Sequence, residues 1–299
     1  VINSGDVIDP SLKTSISFSA SDGAGGGTST KALTKVDDGF ATATQIAARF
    51  VSQEGSTTNF RFTRTLLQAA PKGSGQSYSN VTYDSEYNRY WDDAFGRAAQ
   101  ISVYAIAVPG QSGVINDGKK LEEKLDYTSG TPVDGTSNTK WRIGEGNNTM
   151  EWTVSTTNPT KNLIDNEDLC YSNNIQADTT LGKYGRYVWD KTTKDYPDFK
   201  YEANAANPYP NFTDGMLSFQ LDVAGETAGP GHFDKGHMIF KHALSRVTLN
   251  IKADKGFVSA DYADGNVKEV HLNNVPYKGT FDVKEGTWTA TTTTDKVYL

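Results

Sequence analysis

Apolar and polar residues alternate along much of the chain, a pattern that predicts β-strands. Apolar side chains occupy every second position in the runs 16–20, 150–154, 217–223 and 247–251. Successive side chains of a strand point to opposite faces, so each run predicts a strand with one face in a core and one in water. The run 101–108 is apolar on both faces and predicts a central strand that ends at the turn Pro109-Gly110.

Turn signals and a scarcity of helical periodicity complete the predicted fold class. Short turn motifs lie between the predicted strands, at Asp37-Asp38-Gly39, Asp117-Gly118, Asp214-Gly215 and Asp264-Gly265-Asn266. Many short strands separated in this way are typical of an all-β, antiparallel β-sandwich. One segment, 116–127, predicts one or two helical turns on the sandwich surface, because Leu121 and Leu125 lie four residues apart and would share a face.

The length and charge of the chain allow a protein with a sizeable core and argue against a nucleic-acid-binding protein. With 299 residues the chain can hold one large β domain or two smaller ones, and it can bury a sizeable core. The net charge is −7, and the lysines and arginines form no stripe, which argues against a nucleic-acid partner. No stretch approaches the roughly 18 apolar residues that a membrane span needs. Polar residues follow Val1 almost at once, so we expect any secretion signal to have been removed.

Few residues suggest catalysis or metal binding. The single cysteine, Cys170, has an apolar setting that predicts a small buried hydrophobe. His232, His237 and His242 are spaced five residues apart, and an odd spacing on a strand sends neighbours to opposite faces. We therefore predict no metal site, no cofactor and no catalytic residue.

Two other function classes stay open. A pair of carboxylates brought together by folding would make a secreted glycosidase-like enzyme, although an adjacent pair such as Asp92-Asp93 is more typical of solvated surface. The aromatic residues Tyr87, Tyr90 and Trp91 would suit either the glycan-binding platform of an adhesin or ordinary packing in a β protein.

The first predicted strand is followed by a segment of unusual composition. Residues 23–30 contain only Gly, Ala, Ser and Thr, as in flexible linkers. The strand is either an ordinary first strand with a long loop or a removable strand whose departure exposes a groove. The predicted organisation is a strand and linker over 1–31 and a β-sandwich over 32–299, with a division near 165–210 left open.

Several segments resemble the fimbrillins and the related Mfa-like fimbrial subunits of Bacteroidota. The segment 240–251 begins Phe-Lys-His-Ala-Leu-Ser-Arg-Val and resembles their F-x-H-A-L-S-[RK]-[VIL] signature. Other segments are similar to family segments in the same order: 15–20 with Thr30-Lys31-Ala32 (the first strand and the [RK]-A after it), 101–105 (I-G-V-Y-A), 168–172 (D-L-[LM]-Y-A) and 270–288 (the hairpin after the signature).

The resemblance implies a fold, a location and a route of assembly. The fold would be a transthyretin-like β-sandwich, and family members are made as lipoproteins that form fimbriae on the outer surface. In pilus-forming members a protease cuts after a basic residue that follows the first strand, and the emptied groove accepts a strand from a neighbouring subunit. Carried over to this chain, Ile16, Phe18 and Ala20 mark the strand of the assembly groove, and Lys31 followed by Ala32 is the candidate processing site.

Two features depart from the family pattern. The main fimbrial proteases favour arginine where this chain has Lys31. Many members carry a second β domain after the hairpin. This chain is therefore either a fragment that lacks a C-terminal domain, or its second domain is reduced or begins earlier.

Within the signature, the strand phase changes at one point. Phe240, His242 and Leu244 share a strand face, whereas the apolar residues that follow Arg246 do not. We expect a helical turn or a bulge near Ser245 to absorb the slip, and we interpret these signature residues as structural.

The predicted function is a structural subunit of a cell-surface fimbria. The expected partners are other copies of the chain or related fimbrial subunits, with surface glycans or proteins as further candidates and a membrane only through a lipid anchor on the precursor. One modification is predicted, because Asp178-Thr179-Thr180 fits the D-[ST]-x pattern for O-glycosylation at Thr179.

Overall fold

A computed structural model describes residues 16–22, 39–54, 57–84, 88, 98–111, 121–124, 127–128, 131–132, 149–154, 168–177, 184–189, 199–203, 217–223, 232–233, 235–244, 270–290 and 294–298. Within these residues the chain is all-β, as predicted, with one α-helix of a single turn, α1 (Leu121–Lys124). Crossing a bilayer takes about 20 helical residues, so none of the described helical structure is long enough to span a membrane.

The strands follow the alternating runs and the turn signals. The first half of the chain contributes β1 (Ser17–Asp22), β2 (Thr44–Glu54), β3 (Thr57–Ala69), β4 (Ser79–Tyr83), β5 (Ala98–Ala107), β6 (Tyr127–Thr128), β7 (Thr131–Pro132) and β8 (Thr149–Thr153). The second half contributes β9 (Cys170–Ser172), β10 (Ile175–Ala177), β11 (Tyr184–Trp189), β12 (Phe199–Ala203), β13 (Leu217–Val223), β14 (His232–Phe233), β15 (Lys235–His242), β16 (His271–Pro276), β17 (Lys278–Asp282), β18 (Thr287–Ala290) and β19 (Thr294–Tyr298).

Seven of these strands form a closed ring. Each is hydrogen-bonded to the next in the order β15, β1, β4, β3, β2, β5 and β9, and β9 pairs with β15 again to complete the circle. Outside the circle, β13, β11, β12 and β14 extend the sheet from β5, and β10 pairs with β15. The arrangement is barrel-like, because a ring of this kind leaves no free edge between its members.

Two strand pairs in the described part of the chain are parallel, β1 with β15 and β11 with β13. The prediction of an antiparallel fold is wrong at these two places. Short hairpins enforce antiparallel pairing, but Ser19 of β1 and its partner His237 of β15 are 218 residues apart in sequence. No tight turn sets their relative direction, so a parallel pair is allowed.

The ring encloses the first of two hydrophobic cores. Every ring strand supplies side chains to this inner core. The second, outer core lies between the outside of β2, β3 and β5 and a cover made of α1 and the three-stranded sheet β18-β17-β8. The protein is thus layered, with a small sheet packed against a ring. The transthyretin-like sandwich stays a prediction.

Strand β5 explains why a run can be apolar on both faces. Val103 and Ala105 belong to the inner core, whereas Ile106 and Val108 belong to the outer core. Because β5 lies between the two cores, residues 105–107 are buried on both faces, and the predicted central strand is confirmed.

The other local predictions can be compared directly with the structure. Strands occur where the runs 16–20, 150–154 and 217–223 predicted them. The helical turn is confirmed at α1, where Leu121 is buried in the outer core. The run 247–251 lies outside the described residues.

Candidate functional site: the groove that holds the first strand

Strand β1 fills a groove between β15 and β4. It runs parallel to β15 over its whole length, from Ser17 opposite Lys235 to Asp22 opposite Phe240. On its other side it pairs antiparallel with β4. These two strands are the only described neighbours of β1, so the backbone of β1 is held from both sides by other parts of the chain.

The inner face of β1 is apolar and buried, as its alternation predicted. Ile16, Phe18 and Ala20 have relative exposures of 0%, 1% and 0% and belong to the inner core. The ring of Phe18 packs against Phe50 on β2, with centroids 5.4 Å apart, and against Tyr83 on β4 at 6.4 Å. The side chain of Phe18 therefore reaches across the ring interior as well as to the neighbouring strand.

The outer face of β1 is also buried, which the sequence did not predict. Ser19 was expected to face water, but both Ser19 and Ser21, which lies on the same face, have an exposure of 0%. The imidazole of His237 lies between their hydroxyl groups, with Nδ1 2.7 Å from Ser19 Oγ and Nε2 2.9 Å from Ser21 Oγ. Alternating serines on a strand normally indicate a solvated face, and only the pairing with β15 reveals their partner.

A further hydrogen bond fixes the beginning of β1. The hydroxyl of Tyr83 on β4 donates to the backbone carbonyl of Ile16. Tyr83 thus packs against Phe18 through its ring and binds the backbone through its hydroxyl, which sets the position of β1 along the groove.

The signature segment forms the opposite wall of the groove. Phe240 is fully buried in the inner core and makes an edge-to-face contact with Phe40, with centroids 5.5 Å apart. Strand β15 ends at His242, the chain bends at 243–244, and Leu244 packs against the outer core. The bend explains how Phe240 and Leu244 serve different cores. Ser245, where we expected the slip to be absorbed, lies outside the described residues.

His242 belongs to a cluster of three polar side chains at the end of β15. Its Nδ1 is 2.7 Å from Asp168 Oδ2 and 3.5 Å from Cys170 Sγ. Cys170 is fully buried, as predicted, whereas the side chains of His242 and Asp168 are 22% and 19% exposed. The prediction from histidine spacing was correct in one respect, since His237 faces outward from β15 and His242 faces the cluster. It missed the cluster because Cys170 is a cross-strand partner of His242 and not a sequence neighbour.

Several predicted site residues cannot be compared with the structure. Lys31 and Ala32, the candidate processing site, and Thr179, the candidate glycosylation site, lie outside the described residues. The aromatic residues of the alternative glycan platform, within 87–91, do so as well.

Comparison with known protein families identifies the family of the chain. A model of the fimbrillin-like family matches residues 136–299, which is more than half of the chain. The chain belongs to the fimbrillin-like family. Within this family region lie β15, β9 and the His242 cluster, whereas β1 and β4 precede it. Neither a curated protein nor a solved structure matches the chain significantly.

Membership of the fimbrillin-like family indicates the general function of the chain. The family is structural and not enzymatic, and it indicates a fimbrial subunit that assembles with other subunits at the cell surface. The groove around β1 holds a complete strand by apolar contacts and by backbone pairing on both sides.

Proposed function

We propose that the chain is a structural subunit of a cell-surface fimbria and that subunits join by exchange of the strand in the β1 groove. The observation that carries this proposal is the position of β1. It closes the ring between β15 and β4 but pairs with neither of the strands that follow it directly, β2 and β3. Its removal would leave the hairpin β2–β3 and the rest of the ring connected.

The emptied groove would strongly attract another strand. Loss of β1 uncovers the sockets of Ile16 and Phe18, and burial of side chains of this size is worth roughly 1.5–3 kcal/mol each. It also leaves backbone groups of β15 and β4 unpaired, and each hydrogen bond that is restored adds about 1 kcal/mol net. A strand from a neighbouring subunit with alternating apolar residues would recover both contributions.

The details of processing, partners and anchoring in this proposal rest on the sequence analysis. Cleavage after Lys31 would free β1 and leave Ala32 as the new N-terminus. The partners are then other copies of the chain or related fimbrial subunits, the precursor carries a lipid anchor, and the fold is of the transthyretin-like sandwich type. O-glycosylation at Thr179 is a separate part of the proposal and does not bear on assembly.

The test compares the intact chain with a chain that begins at Ala32. The shortened chain should bind a peptide of residues 15–22 and should gain thermal stability from it, while the intact chain should ignore the peptide and remain monomeric. A matched peptide with Ile16→Ser and Phe18→Ser serves as the control and should not bind. If the shortened chain is monomeric, as stable as the intact chain and indifferent to the peptide, the proposal is wrong.

A further inference from the structure

The cluster at the end of β15 combines three different metal-ligating groups. A carboxylate, a thiol and an imidazole contribute Asp168, Cys170 and His242, and their ligand atoms all lie within 4.8 Å of one another. Two short elements bring them together. Cys170 is the first residue of β9, Asp168 lies two residues before it, and His242 is the register partner of Cys170 on β15.

The distance between the thiol and the imidazole fits a tetrahedral cation. Zinc bonds of about 2.3 Å to sulfur and about 2.0–2.1 Å to nitrogen place the two ligand atoms roughly 3.5 Å apart at a tetrahedral angle. The distance between Cys170 Sγ and His242 Nδ1 is 3.5 Å. The shorter distance of 2.7 Å between His242 Nδ1 and Asp168 Oδ2 is that of a hydrogen bond, which a small rotation of the carboxylate would open.

The same geometry argues against a nucleophilic triad. In a relay of cysteine, histidine and aspartate, the thiol and the carboxylate contact different nitrogens of the imidazole. Here both contact Nδ1 of His242. The carboxylate of Asp168 and the thiol of Cys170 therefore lie around the same nitrogen of His242. A cation bound to that nitrogen could contact both groups, in the place of a shared proton.

Access to the cluster is compatible with an ion. Cys170 lies at its buried end, and the partly exposed side chains of Asp168 and His242 form its outer end. Three protein ligands leave a fourth tetrahedral position for water or another ligand. Thiolate and imidazole together favour zinc and similar borderline divalent cations over magnesium or calcium.

We propose that Asp168, Cys170 and His242 bind a divalent cation of the zinc class, which clamps β9 to β15 and so strengthens the closure of the ring. Binding releases the thiol proton of Cys170 to solvent and requires a neutral His242 whose ring proton is on Nε2, so the affinity falls as the pH is lowered.

The experiment uses the full chain, freed of metal with a chelator and titrated with Co²⁺ as a spectroscopic probe. A charge-transfer band between thiolate and metal should appear and saturate at one ion per chain, and Zn²⁺ should abolish it by displacement. The protein contains a single cysteine, so such a band can come only from Cys170. Absence of the band in the unmodified chain would overturn the proposal without recourse to any variant.

Variants then identify the other ligands. Asp168→Asn and His242→Asn should each weaken Co²⁺ binding by at least about tenfold, whereas the control His271→Asn, on β16, should not change it. Cys170→Ala, which removes the thiol without adding volume to the buried site, should remove the band. Equal Co²⁺ affinity in all of these variants would place the ion elsewhere and overturn the proposal.

Discussion

Strands β1 and β9 both close the seven-strand ring against β15, and they do so by different means. Strand β1 runs beside β15 over its full length and inserts Ile16 and Phe18 into the inner core. Strand β9 has three residues and meets β15 only at two register positions, Lys241 with Tyr171 and His242 with Cys170.

Contacts on both sides of the sheet compensate for the shortness of β9. Cys170 faces the inner core, while the ring of Tyr171 packs on the outer side against Phe281, with centroids 4.9 Å apart. Just after the strand, Asn173 Nδ2 donates to the carbonyl of Lys284 at 2.7 Å. Strand β9 is thereby anchored to the second layer of the protein.

The contacts of the two strands differ in how far they depend on particular residues. The described contacts of β1 are generic ones, namely apolar side chains in a groove, backbone pairing and two hydroxyl groups on one imidazole. The contacts of β9 are particular to its own residues and to the turn beside them. We therefore expect β1 to be exchangeable and β9 to belong to the permanent frame.

The largest effect should come from removing the aromatic anchor of β1. Phe18→Ala should lower the free energy of unfolding by about 3–5 kcal/mol, because it leaves a cavity between Phe50 and Tyr83. The matched change on β9 is Tyr171→Ala, for which we expect about 1–3 kcal/mol. Urea denaturation measures both.

Hydrogen exchange sharpens the contrast between these two variants. Phe18→Ala should accelerate exchange in β1 while β9 stays protected, since β1 can open locally without disturbing the frame. Simultaneous loss of protection in β1 and β9 would contradict the distinction.

The second effect tests the anchor of β9 on the outer side. Gly286 has a φ of 70°, and a Cβ placed there would lie 2.8 Å from Cζ of Tyr171. Gly286→Ala should therefore cost about 1–3 kcal/mol, from backbone strain and from displacement of the Tyr171 ring. Thermal or urea unfolding gives the value.

A matched glycine provides the control. Gly75 has a φ of 76°, and a Cβ there would meet nothing within 4 Å. Gly75→Ala introduces the backbone strain without the contact, so it should cost less than Gly286→Ala. Equal costs would mean that Tyr171 does not anchor β9.

The third effect concerns the outer face of β1. His237→Ala removes the partner of the Ser19 and Ser21 hydroxyls and should cost about 1–2 kcal/mol, at roughly 1 kcal/mol for each hydrogen bond. A double-mutant cycle with Ser21→Ala isolates one of these bonds and should give a coupling of about 0.5–1.5 kcal/mol. Additive losses would show that the imidazole does not hold the strand through Ser21.

The smallest effect is a dependence on alkaline pH. Burial raises the pKa of Tyr171. Burial is also the largest cause of the raised pKa of Tyr104. Between the unfolded pKa of about 10 and the higher folded value, only the unfolded chain releases the phenolic proton. Stability should therefore fall as the pH rises above about 10, and the loss should be partly removed by Tyr171→Phe or Tyr104→Phe. Urea unfolding at neutral pH and at about pH 11 checks this. An unchanged loss in both variants would contradict it.

Much of the local structure could be predicted from periodicity alone. The run 101–108 predicted the central strand β5, and the alternation of Ile16, Phe18 and Ala20 predicted a strand with a buried face. Such predictions succeed because the alternation of side chains is a local property of the backbone. They fail where a second element covers a face that looks solvated, as His237 does over Ser19.

The closure of the ring could not be predicted in the same way. Strand β9 is too short to display a period, and it gains its place only from pairing with β15 and β5. The cluster of Asp168, Cys170 and His242 has the same origin, since His242 comes from the partner strand β15 and lies 72 residues from Cys170 in sequence. The resemblance to the fimbrillins identified these segments as part of one pattern but did not reveal that they touch.

The most direct test of the account locks β1 in its groove. Ser19 and His237 are register partners on adjacent strands, which lie about 4.8 Å apart, so Ser19→Cys with His237→Cys can form a disulfide between β1 and β15. The chain also carries Cys170→Ser and a recognition site for a specific protease within 23–30, where it is cut before the assay. We predict that the reduced form takes up a labelled peptide of residues 15–22 in exchange for β1, whereas the oxidised form takes up none. Equal uptake by the two forms, or no uptake by the reduced form, would contradict the claim that β1 occupies an exchangeable assembly groove.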